Sequence, residues 1–204
     1  MLFAGVAAAV LVLGVSVGTA SARRLELSSQ TFRAVWNPLV FSNAAEGIEL
    51  RCPVTLEGSF HSRTLAKVAE SLVGYVTRAQ IGEASCSGSR ARVLTEFLPW
   101  HVRYESFAGT LPTITSVTTR IIGFAFLLEV FGVSCLYVSE ASHAFRGQVS
   151  LSGGVATAVR ALESPAIPKH SGSFLCPTEL AFRGTTSSFT VQNSTTAITV
   201  RLVQ

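Results

Sequence analysis

The sequence predicts an antiparallel β-sandwich or barrel with one amphipathic helix packed on or across it, a mainly β fold of the α+β class. Three observations carry that expectation: one long run of strict apolar/polar alternation, several short apolar runs separated by Gly, Ser and Pro, and one segment with helical spacing.

The chain opens with an uncharged apolar run over residues 2–18, then Thr19-Ala20-Ser21-Ala22 and Arg23-Arg24. Small residues at Ala20 and Ala22 fit the A-x-A site of a signal peptidase. Residues 1–22 therefore read as a signal peptide and residues 23–204 as a single disulfide-bonded β-rich domain. The usual basic n-region is missing, and the run is close to the shortest helix that spans a bilayer, so an uncleaved anchor is the alternative. No cysteine stands at the cleavage point to carry a lipid. The expected location is secreted or in the extracytoplasmic envelope, with no stable transmembrane span after cleavage.

From Ile48 to Phe60 the even positions Ile48, Leu50, Cys52, Val54, Leu56, Gly58 and Phe60 are apolar or small, and the odd ones are mostly polar. This is one long strand with a core face and a wet face; Pro53 makes it an edge strand or places a bulge there. Leu65, Val68, Ala69, Leu72, Val73 and Val76 then recur at i, i+3, i+4, i+7, i+8 and i+11, which predicts the amphipathic helix, with Gly74 and Thr77 as its weak points. Residues 84–91 are a polar loop pinned at Cys86. Trp100, Val102 and Tyr104 alternate with His101, Arg103 and Glu105, a second two-faced strand.

Residues 121–138 are the most hydrophobic internal stretch, with Glu129 as the sole charge. Their β-branched and aromatic content, with Gly123 and Gly132, fits two buried strands around a turn better than a membrane helix with an ionised Glu at its middle. Residues 145–149 and 155–159 are short strands about Gly153-Gly154. Residues 164–172, with Pro165 and Pro168, read as a loop and the best hinge. The chain ends as a hairpin, Phe189 and Val191 leading to Asn193-Ser194-Thr195 and Ile198, Val200 and Leu202 leading away.

Composition excludes more than it selects. Of 16 basic residues only Lys67 and Lys169 are lysine, all 12 acids are Glu, and the formal charge is +4. The arginines are dispersed, without the basic stripe that nucleic acid requires. The lack of Asp removes Asp-ligated calcium loops, aspartic dyads and a Ser-His-Asp triad. No serine-nucleophile elbow occurs, and no His pair has metalloprotease spacing; His143 and His170 sit in loop-like contexts. Nothing calls for a cofactor or a metal. The four cysteines, far apart in an exported chain, read as two disulfides, with Cys52–Cys86 and Cys135–Cys176 favoured among three possible connectivities.

The row His101, Arg103 and Glu105 is the sharpest candidate site, a polar ligand patch framed by Trp100 and Tyr104 if a bulge at Pro99 re-aims those two rings. The plain alternative is a solvated strand face with cross-strand ion pairs. His101 and Glu105 are about 13 Å apart along the strand, as are Glu57 and His61, so neither pair is a dyad alone.

Residues 52–62 (CPVTLEGSFHS) and 98–112 (LPWHVRYESFAGTLP), with the Arg-rich, Asp-free composition, resemble exported proteins of GC-rich actinobacteria that have no known activity. The resemblance covers most of the mature chain and implies a location, not a mechanism. Two function classes stay open: a non-catalytic protein binding an apolar (lipid) or glycan ligand or an envelope protein, and a Glu/His-dependent extracellular hydrolase built from Glu57, His61, His101 and Glu105.

Overall fold

The computed structural model describes residues 24–82, 86–87, 89–110, 112–130, 132–163 and 165–203; the signal segment expected over residues 1–22 lies outside them. The described residues form strands throughout, and their one helical element is a 3-10 turn, Thr95–Phe97.

Eight antiparallel strands close a barrel: β2 (Thr31–Asn43), β3 (Ile48–Phe60), β5 (Leu72–Ile81), β7 (Trp100–Ala108), β8 (Ser116–Ile122), β11 (Phe145–Ser152), β12 (Val155–Leu162) and β14 (Glu179–Thr190). Their order is β12-β11-β8-β7-β5-β3-β2-β14, and β12 pairs back onto β14 through Arg160–Thr185 and Ala161–Gly184. Closure leaves the barrel few free strand edges.

A side sheet branches from the first half of β14 through β13 (Ile167–Gly172), β10 (Val133–Val138), β9 (Ala125–Val130) and β6 (Arg90–Val93). A small sheet of β15 (Val200–Val203), β1 (Arg24–Leu27) and β4 (Thr64–Leu65) lies where β2 starts and β3 stops; Phe60 N donates to Gln30 O there and Val200 N to Gly154 O. The long strands serve two structures. β3 pairs with β5 only from Val54 onward, while Ile48 to Cys52 run on beside the side-sheet half of β2.

The change of partner is made at irregularities. β2 bulges between Trp36 and Leu39, so Asn37 and Pro38 both lie opposite Pro53, and β14 shifts register between Arg183 and Thr186. Pro has no N–H for the ladder, and a bulge is where a strand can hold one and bend. Pro53 meets both readings in part: it lies opposite the β2 bulge, at the point where β3 changes from a strand between β2 and β5 (Val54 onward) to one with β2 as its strand partner (Ile48 to Cys52).

The core face follows the alternation. Leu50, Cys52, Val54 and Leu56 are buried, and Trp36, Phe145, Phe182, Phe124 and Phe126 form a ring cluster with centroids 5.6–6.2 Å apart along the chain of contacts. Each such side chain contributes about 1.5–3 kcal/mol by leaving water. Among the described residues the interior holds two small apolar cavities of about 50 Å³ each, one lined by Leu39, Phe41, Trp100 and Phe126 among others, the other by Phe32, Trp36, Val102 and Phe189 among others.

The expected helix does not form. Leu65 belongs to β4, Val68 is exposed, and β5 begins at Leu72. The run Leu72-Val73-Gly74-Tyr75-Val76-Thr77 is β-branched and aromatic, and its glycine meets a close backbone approach: a Cβ on Gly74 would sit 2.4 Å from Ser59 O of β3, and one on Gly58 2.0 Å from Tyr75 O. Apolar spacing that suited a helix is overridden by pairing with β3 and β7.

Two further expectations need correction. The loop and hinge read over residues 164–172 is strand β13 from Ile167 on, paired with both β10 and β14, and Pro168 sits at the end of the latter ladder. The terminal hairpin turns as expected, with Val191 N donating to Thr196 O, but its second arm leaves to pair with β1. The hydrophobic stretch after Ile121 forms the β9–β10 hairpin, and β11 and β12 pair about Gly153-Gly154. No helix among the described residues is long and apolar enough to cross a membrane.

Cys52 bonds Cys86 and Cys135 bonds Cys176, the favoured pairing. The two bridges occupy different halves of the sequence but the same part of the fold: Cys52 lies on the portion of β3 beyond β5, and Cys135 on β10.

Candidate functional site

Strand β7 separates its side chains as the alternation requires. Trp100, Val102 and Tyr104 are buried, whereas His101 is exposed and Arg103 and Glu105 are half-buried on the outer face. β7 is irregular at Glu105, between Tyr104 and Ser106, but Trp100 and Tyr104 stay buried, so these two proposed ligand contacts belong to the core instead. Burial raises the Tyr104 phenol pKa above its ordinary value.

The outer face gathers residues from five elements. Tyr75 is the register partner of His101 on β5, and its ring lies between two imidazoles: 5.0 Å from His61, stacked at 30°, and 5.4 Å from His101. His61 follows β3 directly, and its N–H donates to Val73 O, which seats it beside β5. Three rings thus form a row across β3, β5 and β7, with both histidines exposed.

Next to this row runs a second one. Arg103 of β7 pairs in register with Arg120 of β8, which pairs with Arg146 of β11. Cβ atoms of such partners are about 5 Å apart, so three like charges are aligned across the wall and need counter-charge. Glu105 takes Arg146 through both carboxylate oxygens, with Nε at 2.9 Å, and this hydrogen bond raises the Arg146 pKa. Glu70 serves the other two: its Oε1 accepts from Arg120 Nη1 at 2.5 Å, its carbonyl from Arg103 Nη1 at 3.3 Å. Glu70 adopts φ +63°, a left-handed conformation that a β-carbon resists, and its N–H donates to Tyr104 O.

The groups considered for a hydrolase do not meet. Glu57 is buried between Arg33 (3.1 Å) and Arg78 (3.5 Å), with Gln192 Nε2 at 3.3 Å. Glu105 is engaged by Arg146, and His61 and His101 are kept apart by Tyr75. Among the described residues no histidine is hydrogen-bonded to a carboxylate, and no group of three or more His, Cys or Glu is placed to hold a metal. Asn193, in the turn of the terminal hairpin, adopts φ +59° beside Glu57 and Arg33.

Sequence reasoning named His101, Arg103 and Glu105 as candidates, which the structure places on the outer face, and did not name Tyr75, Glu70, Arg120 and Arg146 beside them. Tyr75 was hidden in a segment read as a helix, though its β-branched neighbours Val73, Val76 and Thr77 were the signal for a strand. Arg120 and Arg146 join the site only through strand order. No protein-family model matches this chain, and neither a curated protein nor a solved structure matches it significantly.

Proposed function

We propose that this chain is an extracytoplasmic, non-catalytic carbohydrate-binding protein, exported like the proteins that residues 52–62 and 98–112 resemble, which holds sugar on the outer face of its barrel. The single observation behind this reading is the row His61–Tyr75–His101, three aromatic rings on a solvent face that the core does not use. A ring of this kind offers a flat apolar surface to the C–H face of a sugar, while polar neighbours hydrogen-bond its hydroxyls.

Magnitude decides between this and an apolar ligand inside the barrel. Small-molecule sites run from about 300 Å³ upward, and the interior leaves two spaces of about 50 Å³ each. A lipid would require wholesale repacking of a dense core, at a cost of several kcal/mol. The hydrolase reading lacks a histidine–carboxylate hydrogen bond to activate water.

The test is affinity electrophoresis of the secreted chain through gels containing a panel of soluble polysaccharides. Retardation by at least one polymer, lost in Tyr75→Ala with an unchanged far-UV spectrum, is the expected result. Free migration through every polymer, or equal retardation of Tyr75→Ala, would overturn the proposal.

A further inference from the structure

We infer that the sugar bound on this face carries a carboxylate, a uronic-acid type residue, and that Arg103 receives it; this rests on the carbohydrate reading above. The charge count of the arginine row is the starting point. Arg103, Arg120 and Arg146 stand in register on three neighbouring strands, and the carboxylates beside them are Glu70 and Glu105, already bound to Arg120 and Arg146. One cation of the three is left with no carboxylate partner among the described residues.

That cation is Arg103. It takes part in none of the ion pairs of the described residues, its Nη1 reaches only the main-chain oxygen of Glu70, and its Nε is buried with no hydrogen-bond partner. A guanidinium held in place with an unused donor is costly, since a buried polar group without a partner loses its hydration and gains no bond in return. The buried Nε is out of a ligand's reach, but the Nη side of the same guanidinium is exposed and has no carboxylate among the described residues, and the two oxygens of an arriving one match that planar donor fork better than any neutral hydroxyl does.

Spacing makes the two rows one site. His101 and Arg103 point to the same side of β7, about 6.6 Å apart along the strand. A hexose ring is about as long as that step, so a sugar lying on Tyr75 and His101 brings an exocyclic carboxylate at its edge to Arg103. Glu70 positions the row: its carboxylate and carbonyl hold Arg120 and Arg103 together in a strained backbone conformation, which keeps both guanidiniums from swinging into solvent.

The experiment compares galacturonate oligomers with their carboxyl-reduced, neutral counterparts by isothermal titration calorimetry, using the secreted chain at low and at high salt. The expected result is binding about tenfold tighter for the acidic oligomer at low salt, a preference that shrinks as salt rises. Arg103→Gln abolishes the preference, and Arg103→Lys keeps part of it as a point charge. Equal affinity for both oligomers overturns the acidic specificity while the carbohydrate reading stands; binding of neither overturns the uronic-acid assignment, and the polysaccharide panel above decides the carbohydrate reading. A preference that survives in Arg103→Gln removes the assignment to Arg103. The wild-type comparison and its salt dependence need no variant to fold.

Discussion

The barrel and the side sheet are built from the same long strands yet are held together differently. The barrel half of β2, β3 and β14 has a hydrogen-bonded neighbour on each side and closes through β12, and no disulfide lies within it. The side-sheet half ends in a free edge at β6 and carries both disulfides, Cys52–Cys86 and Cys135–Cys176. A closed ladder constrains its own ends, whereas an open sheet of short strands must be constrained by something else. Cys52–Cys86 stands where β3 has run beyond β5, and Cys135–Cys176 ties β10, in the middle of the side sheet, to the segment between β13 and β14.

Phe182 is where the two halves meet, its ring touching Phe41, Phe124, Phe126 and Phe145 at 5.1–6.0 Å. Phe182→Ala is expected to cost about 3–5 kcal/mol and to lower the stability of both halves together, read as one shifted transition in denaturant titrations. A split into two transitions would show that the barrel and side sheet are separately cooperative.

Removing one staple should separate them instead. Cys135→Ser with Cys176→Ser releases a loop closed over 41 residues, for a loss of about 2–4 kcal/mol. Hydrogen exchange is expected to accelerate in β9, β10 and β13 and to hardly change in β7, β8 and β11. Uniform acceleration would contradict the contrast drawn between an open and a closed sheet.

The smallest effect concerns Tyr137, a side-sheet residue whose buried hydroxyl donates to Pro177 O at 2.7 Å. Burial, helped by the negative charge of Glu46, pushes its phenol pKa well above the ordinary value near 10. The folded chain therefore keeps a proton that the unfolded chain releases above about pH 10, and stability falls as pH rises through that range. Tyr137→Phe should cost about 1–2 kcal/mol at neutral pH through the lost hydrogen bond, and should flatten the alkaline decline in midpoint measured between pH 9 and 11. Tyr104 in the barrel is shifted the same way, so some decline remains.

How legible each part was follows from the range of the interactions that decide it. β3 and β7 were plain because a strand with one wet face writes its orientation into alternate residues: Leu50, Cys52, Val54 and Leu56 inward, His101 outward. The hairpins around Gly132 and Gly153-Gly154 were equally plain, being local. The segment from Leu65 to Val76 misled because its apolar spacing fits two periods, and only Gly58 and Gly74, facing backbone atoms of the opposite strand, choose between them. Pro168 made β13 look like a loop, since a proline at the end of a ladder is indistinguishable in sequence from one in a turn.

The sequence alone determined the β-rich class, the inward and outward faces of its clearest strands, the use of cysteines as bridges and the polar row on β7. Each depends on residues close in the chain or on composition. Tertiary structure alone decided the closure of eight strands, the turn of three long strands into a side sheet, the gathering of both disulfides there, and the meeting of Tyr75, Arg103, Arg120 and Arg146 on one wall. Those depend on strand order and register, which are set by packing summed over the whole core and leave no mark on any single stretch of sequence.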